Sequence, residues 1–127
     1  MTALTSAGAV FLAQAAINDS SPPFFTSGAA AHQGTGNSST AFSIAQTDLV
    51  GGSKERAVAT VTRAAGVLTF VSTFGTTAGN YEWLEVGIFN AASGATMLCR
   101  APQSPSLGTK VNTQVWTLTT TVTFTAA

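Results

Sequence analysis

The chain ends in the stretch VNTQVWTLTTTVTFTAA, residues 111–127, and this stretch decides the fold class. From Trp116 onward, one set of alternate residues is mostly apolar and the other is threonine alone. The two sets are Trp116, Leu118, Thr120, Val122 and Phe124, and Thr117, Thr119, Thr121, Thr123 and Thr125. Because successive strand side chains point to opposite faces, the pattern predicts a long β-strand with one apolar face. A strand so long and so free of charge is a hazardous open edge, so we expect it to be central in its sheet or covered by another chain.

Composition favours an assembly component. The chain has 127 residues, which predicts a single domain over residues 1–127. Only 8% of them are charged, against about 25% in ordinary soluble domains. Five basic and five acidic residues cancel, so we expect neither nucleic acid nor membrane as a partner through bulk electrostatics. The sequence has neither a membrane-length apolar run nor the basic start of a signal peptide, so we expect assembly in a cytoplasm.

Periodicity predicts one helix followed by several strands. The helix covers residues 5–17, with Thr5 or Ser6 as N-cap, and Asn18 and Asp19 end it. Strands are predicted over residues 24–31, 54–62, 67–74, 81–90 and 96–101, with a tight turn at Ala65–Gly66. A loop over residues 32–40 and a short helical turn over residues 45–49 lie between the first two strands. The sequence therefore predicts a mainly β fold, a compact antiparallel β-sandwich or barrel with one N-terminal α-helix.

Residues able to carry chemistry are few. His32 is the only histidine and is expected at the edge of a loop, and Cys99 is expected to be a small buried hydrophobic residue. Gly34-Thr-Gly36 lacks the Gly-Lys-Ser ending of a phosphate-binding loop. We therefore expect no catalytic residue, no metal site and no cofactor in this chain.

Glu85 is the charged residue that the sequence singles out. It lies in the run WLEVGIF, residues 83–89, which is apolar on both faces and therefore predicts a central strand. A carboxylate there costs several kcal/mol unless it is paired or accepts backbone amides. We expect a structural anchor that pairs with Arg56, Arg63 or Arg100, or that ties down a loop. A catalytic role would need a second carboxylate, for which Glu82 is the sole local candidate, and Gly87 predicts a close backbone approach or a bulge.

The aromatic residues are expected in the core, because they fall on strand faces beside aliphatic residues and are not interleaved with Arg or Lys. A small module that binds host-surface carbohydrate is the alternative from a different functional class. It would need exposed aromatic residues beside Asp, Asn or Gln in a groove. Tyr81 next to Asn80 is the one indication of such a groove.

The order of several motifs resembles that of small tailed-bacteriophage virion proteins and of the N-terminal attachment domains of phage tail fibres. The central motif is WLEVGIFNAASG, residues 83–94, followed by MLCR, residues 97–100. Before it come LTSAG at residues 4–8 and GTGNSSTAF at residues 34–42 with TDL at residues 47–49, and after it LGTK at residues 107–110 leads into the terminal strand. The resemblance spans most of the chain.

The resemblance implies a non-enzymatic virion structural protein. Tail-fibre domains of this kind continue into a shaft, whereas this sequence ends at Ala127, which favours a capsid decoration (cement) protein that stabilises the major capsid shell. A tail-fibre or baseplate adaptor is the close alternative. The expected partners are the major capsid protein or tail and baseplate proteins, the expected location is the virion, and the expected state is a homo-oligomer, a trimer at capsid threefold positions. The expected structural or interaction residues are Trp83, Glu85, Gly87, Phe89, Arg100 and Trp116.

Overall fold

Seven antiparallel strands and one helix build the molecule in the computed structural model, which describes residues 3–17, 25 and 28–125. The elements are β1 (Ala3–Leu4), α1 (Ser6–Ala16), β2 (Gly28–Gly36), β3 (Lys54–Ala64), β4 (Val67–Phe74), β5 (Glu85–Phe89), β6 (Met97–Pro102) and β7 (Trp116–Thr123). The strands form one sheet in the order β1-β6-β5-β2-β3-β4-β7. This sheet curls into a half-barrel, which confirms the predicted mainly β fold with a single N-terminal helix.

The concave side of the sheet, called here the inner face, holds the main core. The ladder aligns apolar residues of neighbouring strands, such as Ile88 with Cys99 and Phe74 with Trp116. Two apolar clusters follow from this alignment, one around Phe70 and Ile88 and one around Phe74 and Trp83. In the middle of the inner face, the side-chain amide of Gln33 donates to the Leu118 carbonyl at 3.0 Å, so the curl of the sheet brings β2 close to β7.

Helix α1 packs against β6. Thr5 caps it as predicted, because its Oγ1 accepts from the Gly8 amide at 2.9 Å. A Cβ built on Gly8 would lie 2.3 Å from the Leu98 carbonyl oxygen, so only glycine permits this approach. Phe11 is the buried apolar residue of the helix, and its ring meets Phe25 edge to face with centroids 4.8 Å apart. The predicted stop at Asn18 and Asp19 lies outside the described residues.

The predicted hairpin is confirmed. β3 and β4 join through a turn at Ala65–Gly66 and pair from Ala59 with Ser72 to Ala64 with Val67. β5 is interior to the sheet, and all five of its residues are buried, as the apolar pattern on both faces predicts.

Three predictions over residues 24–49 are wrong. Residues 32–36 belong to β2 and not to a loop, because the small residues Gly34 and Gly36 let other elements pack closely against this strand. The described part of the predicted 24–31 strand enters β2 only from Gly28. Residues 45–49 form no helical turn; a single turn at Ile44–Ala45 is closed by the Gln46 amide, which donates to the Ser43 carbonyl.

The predicted 81–90 strand is shorter than expected. The regular strand begins only at Glu85, and Glu82 makes an isolated bridge to Thr109. Backbone bonds from Trp83 to Gly108 and from Leu107 to Trp83 tie the preceding segment to the link between β6 and β7. These bonds satisfy the backbone without extending the sheet.

Candidate functional site

Glu85 and Arg100 form a buried ion pair on the convex, outer face of the sheet. Arg100 Nε donates to Glu85 Oε2 at 2.6 Å, and both side chains are fully buried. The ladder places Gly87 directly opposite Arg100, and Glu85 lies two residues before Gly87 on the same face of β5. The burial of Glu85 and its pairing with an arginine are therefore confirmed, with Arg100 as the partner among the three candidates.

The same pair fastens the segment of residues 37–53 across the outer face. Glu85 accepts hydrogen bonds from the amides of Val50 at 3.0 Å and Gly51 at 2.6 Å. Arg100 Nη1 donates to the Thr40 carbonyl at 2.9 Å. Because each charge meets several partners, the pair compensates the cost of its own burial. The prediction that Glu85 ties down a loop is confirmed as well.

Glycine spacing makes room for this anchor. A Cβ on Gly36 would lie 2.2 Å from Glu85 Oε1. A Cβ on Gly87 would lie 3.1 Å from both Leu49 and Phe89 side-chain atoms. Gly87 therefore marks a close approach, and the bulge falls at the next step, between Ile88 and Phe89.

Arg56 supports the same segment from β3. Its guanidinium lies 3.5 Å from the centroid of the Phe89 ring and donates to the Ala91 carbonyl at 2.9 Å and to Asp48 at 3.2 Å. Burial raises the pKa of Asp48, but hydrogen bonds from Lys54, the Leu49 amide and Arg56 outweigh that effect and hold the pKa below its usual value. Phe89 also packs against Met97 and against Leu49 of the 37–53 segment in a small buried cluster.

Trp83 and Trp116 lie elsewhere, in an aromatic cluster at one end of the inner face. The Trp83 ring meets both Phe74 and Trp116 edge to face, each with centroids 5.0 Å apart. Its indole N–H donates to the Gly79 carbonyl at 2.8 Å. The six predicted residues therefore divide into an outer anchor (Glu85, Gly87, Phe89 and Arg100) and an inner aromatic cluster (Trp83 and Trp116).

Lys110 is a buried charge that the sequence analysis missed. Its Nζ donates to the Gly75 carbonyl at 2.6 Å and to Asn80 Oδ1 at 2.8 Å, and the residue is only 1% exposed. These bonds hold the segment after β4 against the link between β6 and β7. The sequence carries no signal for this burial, since Lys110 lies in a polar link.

His32 is buried on β2 and not at a loop edge as predicted. Its Nδ1 has no hydrogen-bond partner among the described residues. Burial and the neighbouring Arg56 charge lower its pKa. Cys99 is buried in the inner core as predicted, and burial raises its pKa to about 12. Neither side chain is presented to solvent for chemistry.

The exposed feature with the clearest capacity for contacts is β7, which is an edge strand. It pairs with β4 on one side and has no ladder partner on the other among the described residues. Its burial alternates as the sequence predicts, with Leu118 buried and Thr117, Thr119, Thr121 and Thr123 exposed. No charged residue occurs from Val111 to the end of the sequence.

Two grooves follow the open side of β7 where the half-barrel fails to close. The first, of about 230 Å³, lies between the Leu12 and Leu98 side of the molecule and Val122 to Phe124. The second, of about 310 Å³, lies between Ala101 and Leu107 on one wall and Leu118 to Thr121 on the other. Val115 and Phe124, at the two ends of the strand, are 59% and 51% exposed. We call β7 with these two grooves the open seam.

The described residues contain no group of three or more His, Cys, Asp or Glu side chains placed to hold a metal ion. Within the same residues, no helix has the length and apolar character needed to cross a membrane. Comparison with protein-family models, with curated proteins and with solved structures finds no match to this chain.

Proposed function

We propose that this protein is a non-enzymatic structural component of a tailed-phage virion, and that it decorates and stabilises the capsid shell. The observation that carries the proposal is the open seam, an uncharged edge strand of eight residues flanked by apolar grooves. A lone soluble protein usually protects such an edge with charge, proline or a covering element. An edge without these devices suits a protein that works in contact with other subunits.

The buried polar residues support the same proposal, because their hydrogen bonds are made within the protein. Both Glu85 oxygens accept hydrogen bonds inside the protein, and Arg100 is fully buried against them. Tyr81, which carried the carbohydrate-binding alternative, hydrogen bonds through its hydroxyl to Thr35 at 2.9 Å. These groups maintain the fold and leave the apolar and threonine-rich surfaces for contact.

Attachment of a tail fibre or baseplate is the second candidate, because the order of motifs resembles fibre attachment domains as much as decoration proteins. The two roles differ in copy number. A decoration protein covers the shell and approaches the abundance of the major capsid protein, whereas an adaptor is present at a few per cent of it.

Quantitative gel staining of washed virions tests the proposal. We expect a band near 12.8 kDa at an abundance close to that of the capsid protein. A band at a few per cent would favour the adaptor role. Absence of the chain from virions, together with no binding to purified shells or tails, would contradict both roles.

A further inference from the structure

We infer that the open edge of β7 is a docking site for a second copy of this chain, related by a two-fold axis through Thr120. The inference concerns the chain by itself and goes beyond the virion role. If the chain dimerises in solution but is absent from virions, this inference stands and the proposed function is contradicted.

The backbone of β7 shows which groups are free to pair. The Phe124 amide donates to the Gly66 carbonyl at 2.8 Å, on the β4 side. In an antiparallel ladder, alternate residues direct their N–H and C=O groups to opposite edges. The even-numbered residues of β7 therefore direct their backbone N–H and C=O groups toward β4. The odd-numbered residues Thr117, Thr119, Thr121 and Thr123 direct theirs toward the open edge.

The side chains of β7 are arranged almost symmetrically about Thr120. On the inner face, Trp116 and Leu118 precede Thr120, and Val122 and Phe124 follow it at matching distances. In an antiparallel pair centred on Thr120, Leu118 faces Val122 of the second copy and Trp116 faces its Phe124. The exposed Phe124 ring thereby gains an aromatic neighbour, a favourable cross-strand combination.

The outer face is self-complementary as well. In the same register Thr119 faces Thr121 of the second copy, and Thr117 faces its Thr123. Cross-strand threonine pairs are favourable, and an uncharged strand opposes no like charges when it meets itself. Lysine at both Thr119 and Thr121 would instead bring like charges together across the axis.

Among the described residues, the sheet offers no comparable edge for a ring of three. A closed trimer built by strand pairing needs β7 of one copy to meet a different edge of the next copy. The other end of the sheet is β1, which has two residues. The two-fold arrangement instead uses the same long edge twice. The trimer expected from capsid symmetry would therefore require another surface.

Charge placement tests the register. In Thr119→Lys/Thr121→Lys, each lysine faces a lysine of the second copy, and we expect dimerisation at least about tenfold weaker than in the unaltered chain. In Thr119→Lys/Thr121→Glu, each lysine faces a glutamate of the second copy, and we expect dimerisation to recover. Thr60→Lys/Thr62→Lys is the matched control, because both threonines are exposed on the outer face of β3, an interior strand. This control should dimerise like the unaltered chain.

Sedimentation equilibrium at micromolar concentrations measures the dimer dissociation constant of each variant. Circular dichroism verifies that each variant is folded. The unaltered chain should sediment at twice its 12.8 kDa mass. A monomer or a trimer would overturn the inference, as would equal dimerisation of the Lys/Lys and Lys/Glu variants.

Disulfide trapping gives a second readout that leaves the charge unchanged. Position 120 faces itself across the axis, with about 4.5 Å between Cα atoms in a non-hydrogen-bonded pair, within disulfide range. Thr120→Cys should therefore cross-link to a dimer under mild oxidation. Thr123→Cys is the control, because its two copies would lie about 20 Å apart along the strands. Equal cross-linking of both variants, or none in Thr120→Cys, would contradict the two-fold register.

Discussion

At the scale of single residues, the ion pair of Glu85 and Arg100 fastens the 37–53 segment to the outer face of the sheet. An acid in a strand that is apolar on both faces has to be buried and paired, and the structure confirms this. The choice among three arginines depended on the β5–β6 register, in which Gly87 faces Arg100. No local sequence pattern specifies that register, because a bulge between Ile88 and Phe89 shifts the pairing of these two consecutive strands.

Removing the Glu85 carboxylate should be severely destabilising. Glu85→Ala removes the buried carboxylate that balances the Arg100 charge and releases the amides of Val50 and Gly51, so we expect a loss of about 3–5 kcal/mol in the free energy of unfolding. Thermal melting measures the effect. Glu82→Ala is the control, because Glu82 is exposed and its replacement should change stability little. A melting temperature for Glu85→Ala within a degree of the unaltered chain would show that the pair does not anchor the fold.

His32 should make stability depend on pH between about 7 and 5. Burial and the Arg56 charge lower its pKa in the folded state, so the unfolded chain binds a proton as the pH falls through about 6.5 while the folded chain resists. The unfolded state then holds more protons, and stability declines as the pH falls. Denaturant titrations at pH 7 and pH 5 should show a larger decline for the unaltered chain than for His32→Gln. Equal declines would mean that His32 titrates alike in both states.

At the scale of elements, the prediction succeeded where one strand's own pattern was sufficient. The threonine alternation of β7 and the hairpin of β3 and β4 are present as predicted. It failed at β2, where glycine-rich sequence was interpreted as a loop. Gly34 and Gly36 lie in a strand, and both strand positions require a small residue. The side chains of Phe89, Leu49 and Glu85 occupy the space that a larger residue would take. Tertiary packing overrode local propensity at that element.

The contact between α1 and β6 gives a prediction opposite in sign to helix propensity. Replacing glycine with alanine in a helix interior normally stabilises by about 1 kcal/mol. In Gly8→Ala the new methyl group would lie 2.3 Å from the Leu98 carbonyl oxygen, so α1 must shift away from β6 and the protein should be destabilised. Chemical denaturation compares it with Gly52→Ala, whose Cβ would meet nothing within 4 Å. Stabilisation by Gly8→Ala would contradict the close contact.

At the scale of the whole molecule, polar anchoring and an open edge are combined in one sheet. Glu85, Arg100 and Lys110 are used internally to fasten loops, while β7 presents uncharged backbone and threonine to the outside. The sequence predicted that its terminal strand would be central or covered. It could not predict an edge position, because strand order depends on which strands meet across the half-barrel. Since β7 is not central, the remaining expectation is that another chain covers its open edge.

Amide hydrogen exchange along β7 tests the central claim that this open edge is covered in the assembled protein. In the dilute chain, the amides of Thr117, Thr119, Thr121 and Thr123 should exchange quickly, and those of Leu118, Thr120 and Val122 should be protected by β4. At concentrations where the chain self-associates, the threonine set that faces the open edge should become protected too, which removes the two-residue alternation. Persistence of the alternation in the associated protein would contradict the account, because the edge would then be free in the assembly.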